Sequence, residues 1–337
     1  MSDGSTENQR FIYVVGGREK SARDLPEYHH YERGLILRVD TASGTATTMV
    51  DYVSPPTVLP DDKPSVVFKA GNLSGDLLYV CTQTEVLSYR LPSFERVDYV
   101  SLPCFNDVHH VCPTAHGTLL VAVTGLDLVI EMTSSGEIVK EWDTLGEPLW
   151  SRFSRDVDYR KVVTTQPHRV HPNFVFIVDG EYWVTRLEQQ DAISLTGPAR
   201  RINIAIERPH DGIVADGRIY FTTVDGHVVI ADARTQAVFQ IVDLQEVMGT
   251  DLPLGWCRGL KVIDRDRVII GFTRIRPTTL ERNVAWVRDK LKRLSGLPPV
   301  DFVFMPTRLC CISLAEKRCL WEIDLERHAM NAVFSIH

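Results

Sequence analysis

The chain has 337 residues, 44% hydrophobic and 24% charged, an ordinary globular balance with ample material for a core. A formal net charge of −7 and a pI near 5.9 argue against a broad phosphate-neutralising surface, so nucleic acid is not expected as a partner. No basic leader precedes an apolar run, and no window approaches ~18 consecutive apolar residues, which predicts a soluble cytoplasmic protein without a transmembrane segment.

Seven cysteines without a CxxC pair fit neither a disulfide framework nor a structural zinc site, and buried reduced thiols are expected. Residues 1–10 (MSDGSTENQR) are polar, lack a packing pattern and are expected to be disordered, leaving 11–337 as a single domain. FIYVVGG (11–17) then reads as a strand. LILRVDTASGTATTMVDYV (35–53) reads as two strands joined by a short hairpin.

The same hairpin phrase returns in VLSYRLPSFERVDYVSL (86–102), LVIEMTSSGEIVKEWDTL (128–145) and, more degenerately, AISLTGPARRINIAI (192–206). It returns again in VVIADARTQAVFQIVDL (228–244) and LCCISLAEKRCLWEIDL (309–325). Each hairpin follows another apolar pair of strands, as in VHHVCPTAHGTLLVAVT or HDGIVADGRIYFTTV. Six such units predict an all-β fold, a six-bladed β-propeller. The first unit has only three strands, and NAVFSIH at the C-terminus supplies the missing innermost one, closing the ring.

Insertions at 27–34, 54–64, 146–169 and 276–302 fall in loop classes that share one face of the disc, where they would roof a central funnel. Within the last, Val284, Val287, Leu291 and Leu294 recur at helical spacing, predicting a short amphipathic helix on that face.

Innermost strands of a propeller run along the central channel, so residues at their starts converge from different blades. Those starts carry Asp107, His109 and His110; His168 and His171; Glu207, His210 and Asp211; Cys257 and Arg258; and Glu326, Arg327 and His328, with Lys69 and Asn72 near the corresponding place. Four blades thus offer histidine at one level although the chain has only eleven. Neutral imidazoles around an axis can hold a transition metal. The choice between His109 and His110, or His168 and His171, turns on a one-residue register. Spacing to the following turn prefers His110, and His171 is the better placed in its blade.

The expected metal ligands are therefore His110, His171, His210 and His328, with Glu207 and Glu326 orienting rings and Arg258 anchoring a small-molecule substrate of anionic character. An all-histidine shell with open positions favours Fe(II) and oxygen chemistry, while Zn, Cu or Ni also suit it. The alternatives are a non-catalytic binding propeller and a metal-free enzyme in which His and Arg handle a transferring group. No P-loop, GxSxG or HExxH motif occurs.

The blade phrasing resembles, in periodicity and over nearly the whole chain, the six-bladed NHL, SMP-30 and YVTN-like propellers. That group includes lactonases, which bind a divalent cation through carboxylates and Asn; histidine predominates here instead. The axial histidines are similar in concept to those of the seven-bladed carotenoid cleavage oxygenases, a resemblance that implies non-haem iron at His110, His171, His210 and His328 but no particular substrate.

Overall fold

The computed structural model describes residues 10–21, 29–62, 64–275 and 305–337. The amphipathic helix expected near 282–294, and nearly all of the terminus expected to be disordered, lie outside the described residues. Twenty-four strands, numbered in chain order, make up almost all of the regular structure. A single short α-helix, Leu244–Met248, stands among the described residues. None of them forms a helix long and apolar enough to cross a membrane.

The first sheet joins β1 (Phe11–Glu19), β2 (Tyr31–Asp40) and β3 (Ala46–Tyr52) to the C-terminal β24 (Ala332–Ile336), in the order β24-β1-β2-β3. Val14 pairs with Ile336 and Gly17 with Ala332, so the two ends of the chain share one sheet. Three more four-stranded sheets run in simple order. They comprise β12 (Pro172–Val178) to β15 (Arg201–Asn203), β16 (Ile213–Ala215) to β19 (Val238–Asp243), and β20 (Trp256–Val262) to β23 (Arg318–Asp324).

The strands between residues 69 and 143 depart from the expected pattern. β4 (Lys69–Ser74) through β7 (Glu95–Val100) and β8 (Val108–Pro113) through β11 (Ile138–Asp143) form one eight-stranded sheet, because β4 and β8 pair in parallel at Ala70 and His110. The expectation of six separate blades is thereby corrected: four sheets have four strands and one has eight. Ala70, with only a methyl group, stands at the point of closest approach to β8. On its other side Gly71 passes so near Tyr79 of the next strand that a Cβ there would sit 1.8 Å from its carbonyl oxygen.

The arrangement is a β-propeller. First strands of successive sheets contact one another in chain order, β24 to β4 and onward through β8, β12, β16 and β20 back to β24. The core lies between neighbouring sheets, as where Leu120 and Val129 pack on Val175 and Val184. Middle strands are mostly buried and outermost strands are largely exposed, which is why apolar runs and alternating runs follow each other in the sequence.

Repetition extends to backbone irregularities. The outer hairpins shift register at Ile36/Leu37, Ser88/Tyr89, Glu131/Met132, Ile230/Ala231 and Cys311/Ile312, an extra residue close to the turn each time. Bulges also interrupt the pairing of the inner strands, between Lys69/Asn72 of β4, Val108/His110 of β8, Pro172/Val175 of β12 and Cys257/Leu260 of β20. This second set decides which side chains face the channel.

Candidate functional site

Lys69, Asp107, His109, His168, His171 and His210 meet where the inner strands begin. Lys69 opens β4, Asp107 immediately precedes β8 and His171 immediately precedes β12. Both Asp107 (φ 52°) and His171 (φ 57°) adopt the left-handed region, turning the chain sharply into its strand. The His171 ring centroid lies 4.7 Å from that of His109, and His109 lies 6.4 Å from His210.

The tightest group is Asp107, His168 and His171. One ligand atom from each can be chosen so that all lie within 4.8 Å of one another, and all three side chains are partly exposed. His168 Nδ1 and His171 Nδ1 are 2.9 Å apart. Two nitrogens bound to one ion at about 2.1 Å, with a right angle between the bonds, are separated by about 3 Å. The pair already stands at that spacing.

Neighbouring groups set the ring orientations. The Thr165 hydroxyl donates to the Gly125 carbonyl, so it accepts from His168 Nε2 at 3.3 Å. That assignment leaves His168 Nδ1 as the lone-pair nitrogen. His171 is fixed through its backbone: Asp127, buried and itself at φ 55°, accepts from the amides of Arg169 (3.0 Å), Val170 (3.1 Å) and His171 (2.9 Å). Arg152 neutralises Asp127 from its other side. The end of the long 146–169 insertion thus presents His168, and the step from it into β12 presents His171.

Lys69, buried at the start of β4, forms an ion pair with Asp107. Burial alone would raise the Asp107 carboxyl, but Lys69 and the surrounding imidazoles outweigh it and hold the group far below the usual carboxylate range. Burial, with Lys69 adding to it, pushes His109 well down, and burial holds His171 at about 3. Both rings are therefore neutral near pH 7, the form that binds metal. His109 Nδ1 donates to the Asp107 carbonyl at 2.8 Å, which leaves its Nε2 as an acceptor.

The expected ligand set changes accordingly. His110 turns away from the channel: it stacks on Phe174 at 3.5 Å, Val175 N donates to its Nδ1 at 3.2 Å, and its Nε2 donates to the Gly71 carbonyl at 3.2 Å. Both nitrogens are used, so it is a core histidine. The Val108/His110 bulge reverses the facing that uniform alternation predicts and gives the channel to His109. His328 is also displaced. It ends a 3-10 turn, followed by Ala329 at φ 58°, and its Nε2 lies 3.4 Å from the carbonyl of Gly44 in the outer β2–β3 turn.

The expected ring-orienting carboxylates make other contacts. Glu207 accepts from the Arg208 amide at 2.9 Å, and Glu326 accepts from Thr307 N at 3.0 Å and pairs with Arg274 at 3.2 Å. Arg258 packs its guanidinium 4.0 Å over the Phe334 ring and acts electrostatically on His210. His171 and His210 join the cluster as expected, while Lys69, Asp107, His109 and His168 emerge as members beyond the expected set. A lysine inside the apolar run VVFKAG was the available sign for Lys69.

No family model and no curated protein matches the chain. Among solved structures, a protein of unknown function from Bacteroides caccae superposes with a TM-score of 0.59 at 10% identity, covering 97% of this chain and 98% of that one. A nidogen/laminin complex gives 0.56 at 8% identity, covering 96% and 97%. Virginiamycin B lyase from Staphylococcus aureus gives 0.44 at 12% identity, covering 70% and 69%. At these identities the first two likenesses concern the fold alone.

Proposed function

We propose that this propeller is a metal-dependent enzyme acting on a small molecule at the mouth of its central channel, with the ion held by Asp107, His168 and His171. The observation that carries this reading is the 2.9 Å approach of two histidine Nδ1 atoms beside a carboxylate. Two imidazoles and one carboxylate, with remaining positions open, suit Fe(II) and oxygen chemistry, and Zn, Cu or Ni fit the same donors. Such an ion would supply Lewis acidity or redox chemistry. The protein's own part is to keep the His171 imidazole neutral, to present His168 Nδ1 as a lone pair through Thr165, and to hold His171 through Asp127. Seven free cysteines support a reducing, cytoplasmic setting.

A second reading, metal-free group transfer, is favoured by the Lys69–Asp107 ion pair, which places a fixed cation where an ion would bind. Anaerobic titration with Co(II), followed by visible absorption, separates the two. Saturation near one equivalent that is lost in His171→Ala supports the metal enzyme; no saturable spectrum in the folded parent favours the metal-free reading.

A further inference from the structure

Among the described histidines of the cluster, His210 is the one with a fully buried ring nitrogen that has no hydrogen-bond partner. It is 6% exposed, and its Nδ1 has no hydrogen-bond partner among the described residues. Leaving a polar atom buried and unpaired is costly, and such an atom at the edge of a cluster of chemically active side chains is placed to receive a ligand. Its backbone is not loose, since the amide donates to the Thr222 carbonyl at 2.8 Å. The adjacent Asp211 anchors the same turn, accepting from Thr222 Oγ1 and from Gly259 N at 3.0 Å. The ring is therefore held in place with its nitrogen unspent.

The charge that acts on that ring is positive. Burial first, then Arg258, hold His210 far below its ordinary value, so it is a neutral imidazole within reach of one guanidinium. Asp211, although adjacent in sequence, is pushed up to about 7 by burial and offers little compensating charge. Gly259 N donates to Asp211 at 3.0 Å, which brings the Arg258 segment to the turn that carries His210. A neutral imidazole together with a guanidinium suits an anionic oxygen group, because the imidazole can give a hydrogen bond without adding a further desolvated charge.

We propose that His210 and Arg258 form a subsite for an anionic oxygen group, a carboxylate or a phosphate, at one end of a small organic ligand. The other end of that ligand meets Asp107, His168 and His171 past the intervening His109 ring. The second half of the statement rests on the metal reading above; the subsite itself does not. His210 is in this account a substrate-binding residue and not a metal ligand.

The test uses metal-free full-length protein and two probes, acetate and inorganic phosphate, with histidine ring signals followed by proton–nitrogen NMR. Saturable movement of the His210 signals is expected with at least one probe, while those of the surface His116 stay still. The probe that acts identifies the group. In Arg258→Gln the apparent affinity read from the His210 signals should fall at least tenfold. By titration calorimetry with the same probe, His210→Gln, whose amide retains a donor, should lose less affinity than His210→Leu. No saturable shift in a folded parent, or equal shifts at His210 and His116, would overturn the subsite. Cobalt binding, measured separately without anions, distinguishes the two failures: loss of the anion response with cobalt bound sinks only this inference, and the reverse sinks only the metal reading.

Discussion

His168 Nδ1 and His171 Nδ1 face each other at 2.9 Å across a three-residue step of loop. A single proton must be shared between them unless an ion replaces it, and everything that surrounds them fixes the rings in that relation. Thr165 takes the far nitrogen of one, and Asp127 holds the backbone of the other.

Thr165→Val removes the acceptor of His168 Nε2 while keeping the shape of the side chain. Apparent affinity for Co(II) should fall about tenfold, as for other groups that orient metal-bound histidines. The melting temperature should change little beyond the loss of the Gly125 contact. Unchanged affinity would show that the tautomer of His168 is set elsewhere.

Lys69 and an ion compete for Asp107. Lys69→Met should cost about 2 kcal/mol in the metal-free protein, because the carboxylate loses its partner in a largely buried place. The same change should tighten Co(II) binding by at least tenfold and recover the lost stability when metal is added. Weaker metal binding in this variant would remove Asp107 from the ligand set.

His110 and His328 should separate cleanly from the site. His110→Ala opens a cavity against Phe174 and strands the Val175 amide, so a loss of about 3 kcal/mol in a denaturant titration is expected. His328→Ala should stay within about 0.5 kcal/mol. Neither should alter Co(II) stoichiometry.

Two buried groups give opposite pH dependence. His110 is held at about 3 by burial, against an ordinary 6.5, so its neutral form is favoured by folding; that contribution is complete above 6.5 and is lost as pH falls towards 3. Asp211 is raised from 3.8 to about 7, so its contribution is complete below 3.8 and is lost as pH rises through 7. Thermal melts between pH 4 and 8 should therefore show His110→Phe flattening the acid limb and Asp211→Asn flattening the limb approaching neutrality. An unaltered profile in both variants would contradict these assignments.

Much of the fold was legible because each outer hairpin repeats one phrase, apolar strand, tight turn, alternating strand, and the structure places strands at each of them. The degenerate copy at 192–206 is also the hairpin without a register shift. The merging of two strand groups was not legible, since it rests on the pairing of Ala70 with His110 of β8, a tertiary event with no local pattern. In the site, histidine at strand starts was visible, but its facing was not. Bulges at the inner strands add a residue where alternation was counted, exchanging His110 for His109. His328 stands at the expected strand start in sequence, but the turn at Ala329 carries it outward. The pairing of His168 with His171 needed positive φ at His171, which histidine rarely adopts and sequence does not announce.

Metal content measured on protein purified without an affinity metal, and again after anaerobic Fe(II) reconstitution, tests the central claim most directly. The parent and His328→Ala should hold close to one ion per chain, and His168→Ala/His171→Ala, still folded by circular dichroism, should hold none. An ion-free parent after reconstitution, or a double variant that binds as well as the parent, would contradict a metal centre at Asp107, His168 and His171.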